Sequence, residues 1–158
     1  MMTAAIRALW VAAALLVVLP CAWIASQEWF TRDDFAFLVH VQQAEPWRWS
    51  DVYLPLERRF WPFYRPLAME TWFWLGVRVF GLHAAGFFGV SLAVHFASGV
   101  LVHRIARQWG FSAPGALAAA LLSVSRPPTL GEIFYGSVFH YVASRFLALA
   151  ALALFQRE

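Results

Sequence analysis

The chain has 158 residues, of which 61% are hydrophobic and 13% are charged, and its formal net charge is +3. Soluble domains carry about 25% charged residues, so the composition argues against a soluble domain and favours an integral membrane protein. The small net charge is spread along the chain, which argues against nucleic-acid binding, and the single cysteine, Cys21, allows no intrachain disulfide and no cysteine-based zinc site.

The first apolar segment covers residues 8–27, which contain no charged side chain. A helix of roughly twenty residues, at about 1.5 Å per residue, spans the hydrocarbon core of a bilayer. We therefore predict a first transmembrane helix here, with Cys21 as a small apolar residue within it. A cleaved signal peptide, with a basic start such as Arg7, has a similar pattern and is the alternative.

Residues 28–83 are predicted to form a long outer loop that contains interfacial helices. Between residues 28 and 66 the loop mixes Trp and Tyr with Arg and carboxylates, which is typical of the membrane–water interface. The prolines of "AEPWRWSDVYLPLERRFWPFYRPL" exclude one long helix, whereas "DDFAFLVHVQQA" predicts a short helix capped by Thr31 or Asp33. A second short helix is predicted at 67–80; it is too short to span the bilayer and is ended by Gly81.

Three further apolar segments follow, at 84–103, 108–125 and 134–155. Together with 8–27 they predict an all-α polytopic membrane protein with four spans, in a single membrane domain over 1–158. In the second span Ser91, His95 and Ser98 are spaced so that they share one helix face. His95 is expected to make an interhelical hydrogen bond.

The arginines predict the orientation of the spans. With the N-terminus in the cytoplasm, the cytoplasmic ends carry Arg7, Arg104, Arg107 and Arg157. This arrangement satisfies the positive-inside rule for the short loops. The loop 28–83 then lies on the extracytoplasmic side.

The stretch "EWFTRDDFAFL" places two adjacent carboxylates, Asp33 and Asp34, among phenylalanines just beyond the first span. Mutual repulsion and partial burial raise a carboxyl pKa, and a carboxylate tuned in this way can act as a general base. The same pair offers oxygen ligands for a divalent cation. The alternative is that the pair only begins a helix at the end of a transmembrane span.

The last predicted span contains one charged side chain, Arg145. A charge in a transmembrane segment is costly and usually marks a site. In a helix that begins at Ser137, several polar side chains share one face with Arg145. They are Ser137, His140, Tyr141 and Ser144. This polar stripe favours a polar cavity within the bundle; the alternative is that Arg145 extends toward the lipid head groups.

A third group of charges, Arg58, Arg59 and Arg65, lies within "LERRFWPFYRPL". Guanidinium groups pair bidentately with phosphate. The group therefore predicts either contacts with lipid phosphates at the interface or a clamp for the phosphate of a bound lipid substrate. Arg65 is the preferred residue for the clamp, because Tyr64 and Pro66 restrict its freedom.

In order and spacing, four sequence motifs resemble those of the GT-C superfamily of membrane glycosyltransferases, and most closely its protein O-mannosyltransferase-like branch and bacterial relatives. They are "RDDFAFL" after the first span, "FYRPLAMETWFWLGVRVFGL" in the outer loop, "VSLAVHFASGVLVHRIARQWG" around the second span, and "GEIFYGSVFHYVASRFLALAALALF" in the last segment. The resemblance covers nearly the whole chain, but only the N-terminal part of such an enzyme, since family members have many more spans.

The resemblance implies an enzyme of a bacterial inner membrane that transfers a sugar from a polyprenyl-phosphate-linked donor to an extracytoplasmic acceptor. The acceptor is a protein hydroxyl, a lipid or a surface glycan. Asp33, or in second place Asp34, would be the general base on the acceptor hydroxyl. Arg65 and Arg145 would hold the donor phosphate, which becomes the leaving group.

The remaining residues implied in the site support these roles. Arg58 and Arg59 are further candidates for binding the phosphate, and Glu132, His140 and Tyr141 are expected to line the polar cavity. A divalent cation held by the aspartate pair is the one cofactor that the residues suggest. The expected partners are the lipid bilayer, the sugar donor and the acceptor, with no nucleic acid.

Two alternatives stay open. Four predicted spans leave little room for a prenyl groove and an acceptor cleft, so the first alternative is a truncated product, and this segment alone is expected to be inactive. The second is a small non-enzymatic membrane protein, such as a scaffold or transporter subunit. Its charged residues would then be interfacial anchors or interhelical pairs.

Overall fold

The computed structural model describes residues 4–31, 33–43, 70–126 and 131–156. Within these ranges the chain forms helices and turns and contains no β-strand. The helices are α1 (Ala4–Gln27), α2 (Asp33–Gln43), α3 (Thr71–Phe80), α4 (Ala84–Gln108), α5 (Ala113–Ser125), a 3₁₀ turn (Gly136–Val138) and α6 (Phe139–Phe155). The predicted all-α fold is confirmed for this part of the chain, while the number of membrane spans stays a prediction.

Two glycines end helices by adopting a positive φ. Gly81, with φ 61°, follows α3, and Gly110, with φ 86°, follows α4. Glycine adopts this left-handed conformation without the steric cost that a Cβ would bring. The chain therefore turns sharply at both places, and α4 lies between two defined ends.

Helix α5 is shorter than the segment 108–125 that the sequence predicted as a third span. Its N-cap is Ser112, whose hydroxyl oxygen accepts a hydrogen bond from the Gly115 N–H at 3.2 Å, and Pro114 lies in the first turn, where a missing N–H is tolerated. With 13 residues, α5 is about 20 Å long. This length is well below the roughly 30 Å of a hydrocarbon core.

Two helices are long enough and apolar enough to cross a membrane, Ala84–Gln108 and Gly136–Phe155. In the second, only 11% of the apolar window is buried inside the protein, and large side chains such as Leu147 and Phe155 are exposed. An apolar surface of this kind suits lipid better than water. These features suggest membrane association; α5 and the part Leu15–Gln27 of α1 are apolar but shorter.

Helix α4 is the centre of the fold, because α1, α3, α5 and α6 all pack against it. Its first turns carry Phe87 and Phe88, which are fully buried. The Phe87 ring meets Phe30 and Trp72 edge-on, with ring centroids 5.1 Å and 5.5 Å apart. These aromatic contacts join the segment after α1 and helix α3 to the beginning of α4.

Helices α2 and α3 share this aromatic core. Phe37 of α2 stacks on Phe73 of α3 with centroids 5.3 Å apart, and Trp72 stacks on Phe139, the first residue of α6, at 4.0 Å. The described helices of the loop 28–83 therefore fix the beginnings of both α4 and α6.

Gly76 of α3 gives a test of this packing, because a Cβ at that position would collide with the ring of the buried Phe87. We expect Gly76→Ala to lower the free energy of unfolding by about 1–3 kcal/mol through overpacking. Cys21 is 7% exposed, so the reactivity of its thiol during heating of the detergent-solubilised protein reports unfolding.

Gly89→Ala is the matched control, because nothing lies within 4 Å of a Cβ built at that exposed position of α4. It should be neutral or stabilising, since alanine is favoured over glycine in helices by about 1 kcal/mol. Equal unfolding midpoints for the two variants would contradict the close approach of α3 to α4.

Candidate functional site

Asp34 is completely buried. Its carboxylate accepts hydrogen bonds from two segments that are far apart in the sequence. Oδ1 accepts the Ser137 N–H at 2.7 Å, and Oδ2 accepts the Gly136 N–H at 3.3 Å. Oδ2 also accepts the Thr31 N–H at 3.3 Å. The side chain therefore ties the start of α2 to the 3₁₀ turn before α6, across 103 residues of sequence.

The local geometry explains how one carboxylate reaches all three N–H groups. The Asp34 N–H donates to the Thr31 carbonyl at 2.9 Å, so Thr31 and Asp34 begin α2 with reciprocal bonds in the manner of a capping box. The N–H groups at the start of a helical turn lack intrahelical partners, and those of the 3₁₀ turn meet the carboxylate. Gly136 permits this approach, since a Cβ there would lie 3.3 Å from Asp34 Oδ1.

Asp33 differs from its neighbour in exposure. It is the first residue of α2, and its side chain is exposed. The predicted pair is thus divided into a buried carboxylate that holds backbone groups and an accessible one at the helix start. Of the two, Asp33 is the carboxylate that a substrate in solution can reach.

Burial raises the pKa of the Asp34 carboxyl above its ordinary value, and the N–H groups that it accepts offset part of the rise. Burial removes water from the carboxylate and disfavours its charge. The backbone N–H groups favour the charge. Burial is the larger of the two effects.

A second polar group forms where α6 passes α4 and the end of α5. Arg145 Nη2 lies 2.6 Å from Glu132 Oε2 in an ion pair that is about a quarter exposed. The predicted interhelical bond of His95 is present, with Nε2 donating to the Val124 carbonyl at 2.9 Å. The structure thus pairs Glu132 with Arg145, and His95 joins α4 to the end of α5.

The polar stripe predicted on the last helix is divided. Ser137 belongs to the 3₁₀ turn beside Asp34, because α6 begins only at Phe139. His140 and Tyr141 lie on α6 with ring centroids 4.0 Å apart, and Tyr141 is 49% exposed. Ser144 donates to the His140 carbonyl at 2.5 Å, within its own helix. His140 and Tyr141 therefore lie on a partly exposed surface of α6, and their role in lining a polar cavity stays a prediction.

The predicted phosphate clamp of Arg58, Arg59 and Arg65 lies outside the described residues, and its role stays a prediction. The possibility of a cation on the aspartate pair stays a prediction too. Within residues 4–31, 33–43, 70–126 and 131–156, no group of three or more His, Cys, Asp or Glu side chains comes together.

One electrostatic interaction that sequence reasoning missed links α2 to the residue that precedes α3. Glu70 is buried, and its charge acts on His40. Burial lowers the pKa of the His40 imidazole, and the nearby Glu70 carboxylate offsets part of that effect. The sequence signal was weak, because the two residues belong to different helices and have no characteristic spacing.

No family model, no curated protein and no solved structure matches the chain. The chemistry of the site therefore has to be argued from its own residues. Three residues carry the argument. Asp33 is an accessible carboxylate, Asp34 is the buried carboxylate that fixes its helix, and Arg145 is paired with Glu132.

Asp34→Asn should destabilise the protein by about 1–3 kcal/mol, because an amide NH₂ would replace one carboxylate oxygen and leave buried N–H groups without an acceptor. Asp33→Asn is the matched control, with the same chemical change at the adjacent exposed position, and should change stability by less than about 0.5 kcal/mol. Thermal unfolding followed by Cys21 reactivity measures both. A larger effect at Asp33 would contradict the division of the pair.

The stability of the wild type should depend on pH through Asp34. Because burial raises its pKa, the folded protein keeps this proton between the ordinary pKa of 3.8 and the folded value, while the unfolded chain releases it. The unfolded chain binds fewer protons there, so stability falls as pH rises. The wild type should therefore exceed Asp34→Asn in free energy of unfolding by the largest amount below pH 3.8. This difference should decline as the pH rises, until the pH passes the pKa of Asp34 in the folded protein.

Denaturant unfolding of both proteins at a series of pH values measures this difference. An advantage that grows with pH would show that the backbone N–H groups outweigh burial and that the folded-state pKa is lowered.

Proposed function

We propose that the chain is the N-terminal part of an integral-membrane glycosyltransferase that transfers a sugar from a polyprenyl-phosphate-linked donor to an extracytoplasmic acceptor. The observation that carries the proposal is the division of the aspartate pair. Asp33 is exposed at the start of a helix whose position is fixed by Asp34, and Asp34 bonds to the turn that begins the helix bearing Arg145. The resemblance to GT-C enzymes supports the same reading.

The chemistry divides between these residues. Asp33 takes the proton from the acceptor hydroxyl as its oxygen attacks the anomeric carbon of the donor. The bond from that carbon to the phosphate oxygen breaks, and Arg145 stabilises the negative charge that collects on the phosphate. Asp34 contributes by position, because it holds the base-bearing helix and the arginine-bearing helix in a fixed relation. Arg65, with Arg58 and Arg59, completes the phosphate site in this proposal.

The membrane placement is part of the proposal. Four spans, with the N-terminus in the cytoplasm and the loop 28–83 outside, would place Asp33 at the outer surface of a bacterial inner membrane. The two long apolar helices and their exposed apolar side chains support a lipid environment.

A non-enzymatic membrane protein is the second candidate, and the ion pair of Glu132 with Arg145 favours it. Asp34 likewise has three backbone partners. Charges that already pair within the protein can serve structure alone, as in a scaffold or transporter subunit. Asp33 separates the two candidates, because no hydrogen bond or ion pair explains it among residues 4–31, 33–43, 70–126 and 131–156.

The test is sugar transfer in membranes that contain the full gene product, measured as release of polyprenyl phosphate from polyprenyl-phosphate mannose and polyprenyl-phosphate glucose. Loss of a general base should lower the rate by about 100- to 10,000-fold in Asp33→Asn, with unfolding unchanged. Glu28→Gln is the matched control, because Glu28 is an exposed carboxylate on the same segment, and it should keep full activity.

Full activity of the Asp33→Asn variant would show that Asp33 is not the general base. Absence of transfer by the wild type with both donors, together with stable assembly of the chain, would favour the non-enzymatic candidate.

A further inference from the structure

An apolar groove lies where α1 and α5 pack on the second half of α4. It is lined by Val17 of α1, by Phe96 and Val100 of α4, and by Leu117 and Leu121 of α5. Val100 is 68% exposed, so the groove opens on the surface of the bundle. Its volume is about 210 Å³, and an apolar cavity of about 150 Å³ already holds a benzene-sized molecule.

Helices α4 and α5 run in opposite directions along the groove. His95, in the middle of α4, bonds to the carbonyl of Val124, near the end of α5, at 2.9 Å. Helix α5 begins at Ala113, directly after the turn that follows α4. The first turn of α5 therefore lies beside the last turns of α4. A helix N-terminus carries a partial positive charge, which favours an anion at this end of the groove.

Two arginines of α4 lie at the same end of the groove. At about 100° per residue, Arg107 falls within the arc of α4 that carries Phe96 and Val100, and Arg104 lies one turn beyond Val100. Both arginines are exposed. Arg107 Nη1 donates to the Phe111 carbonyl at 2.6 Å, and in the described part of the chain neither arginine pairs with a carboxylate. Their positive charges are therefore available to an anion.

The groove and the two arginines together match one kind of molecule. Phe96 and His103 both line the groove, and α4 advances about 10 Å between them, a length that suits part of an acyl chain. Guanidinium groups bind phosphate oxygens through charged hydrogen bonds. A phospholipid carries its phosphate at the end of its acyl chains, as the arginines lie at the end of the groove. A zwitterionic headgroup would add a cation beside the phosphate, so the arginines favour an anionic lipid.

We propose that this groove binds one anionic phospholipid of the surrounding bilayer. Its phosphodiester contacts Arg104 and Arg107, and one acyl chain lies along Phe96, Val100 and Leu121. Such a lipid would fill the space between α1 and α5 and would neutralise charge at the last turns of α4.

The lipid site is separate from the site proposed for sugar transfer. Helix α2, which bears Asp33, shares the aromatic core at Phe87, near the start of α4. From Phe87 to Arg104, α4 advances about 25 Å. Arg145 does not line the groove. The proposal therefore depends on insertion of the chain in a membrane, and it does not depend on sugar transfer.

The experiment uses the full chain purified in detergent, with bound lipids counted by native mass spectrometry. Phosphatidylglycerol should bind in a saturable manner, with one molecule per chain at the lowest concentrations. It should also raise the unfolding midpoint, read from the thiol of the buried Cys21, as a ligand of the folded state does. Phosphatidylcholine with the same acyl chains should bind about tenfold more weakly or less. Equal affinities for the two lipids would overturn the proposal.

Substitution of the arginines tests the headgroup contact. Arg104→Gln, and the double variant Arg104→Gln with Arg107→Gln, should lower the affinity for phosphatidylglycerol by about tenfold or more through loss of charged hydrogen bonds. Arg78→Gln is the matched control, because Arg78 is an exposed arginine on α3, which packs near the start of α4. It should leave the affinity unchanged. Wild-type affinity in the double variant would overturn the proposal.

A pair of neighbouring leucines tests the acyl-chain contact. Leu121→Trp should fill part of the groove and weaken the binding of phosphatidylglycerol. Leu122→Trp is the matched control, because Leu122 is 68% exposed and does not line the groove. Equal effects of the two changes on lipid binding would contradict the placement of the acyl chain.

Two further results would assign the groove to another occupant and overturn the proposal. One is tighter binding of polyprenyl phosphate than of phosphatidylglycerol, which would make it a site for a prenyl lipid. The other is a dimer in detergent that Leu121→Trp converts to a monomer, which would make it an interface with a second copy of the chain.

Discussion

The carboxylate of Asp34 accepts N–H groups from Thr31, Gly136 and Ser137 in a place that water does not reach. A buried carboxylate is costly unless it has hydrogen-bond donors, and unpaired N–H groups at a helical turn are costly in the same way. The N–H groups supply the donors that the carboxylate needs, and the carboxylate supplies their acceptor. These hydrogen bonds therefore hold the start of α2 against the turn before α6. Breaking them would leave both the carboxylate and the N–H groups without partners.

The aromatic core makes this contact effective. Phe37, Phe73 and Phe87 pack together where α2, α3 and α4 meet. Phe73 also lies close to Gly136, beside the Asp34 carboxylate. In a water-poor environment a hydrogen bond is electrostatically stronger, and a missing one is more costly. Helices α2 and α3 therefore contribute to the buried environment in which Asp34 holds the turn before α6.

The position of Arg145 depends on two contacts. Its position is defined by the turn that Asp34 holds and by its ion pair with Glu132. A guanidinium in an apolar helix attracts phosphate whatever molecule carries it.

The sequence by itself determined the helical class, because long uncharged runs with a single interior arginine have few other stable folds. It also determined the end of α3 at Gly81, the start of α2 near the aspartate pair, and the interhelical role of His95. It did not determine the start of α5, since the turn at Gly110 lies inside a continuous apolar segment. Only the tertiary structure decided which aspartate is buried and which is exposed. Successive residues on a helix point about 100° apart, and the direction that faces inward depends on partners about 100 residues away in sequence, at Gly136 and Ser137. The pairing of Glu132 with Arg145 has the same origin, because the turn between them sets their separation and no periodic pattern records it.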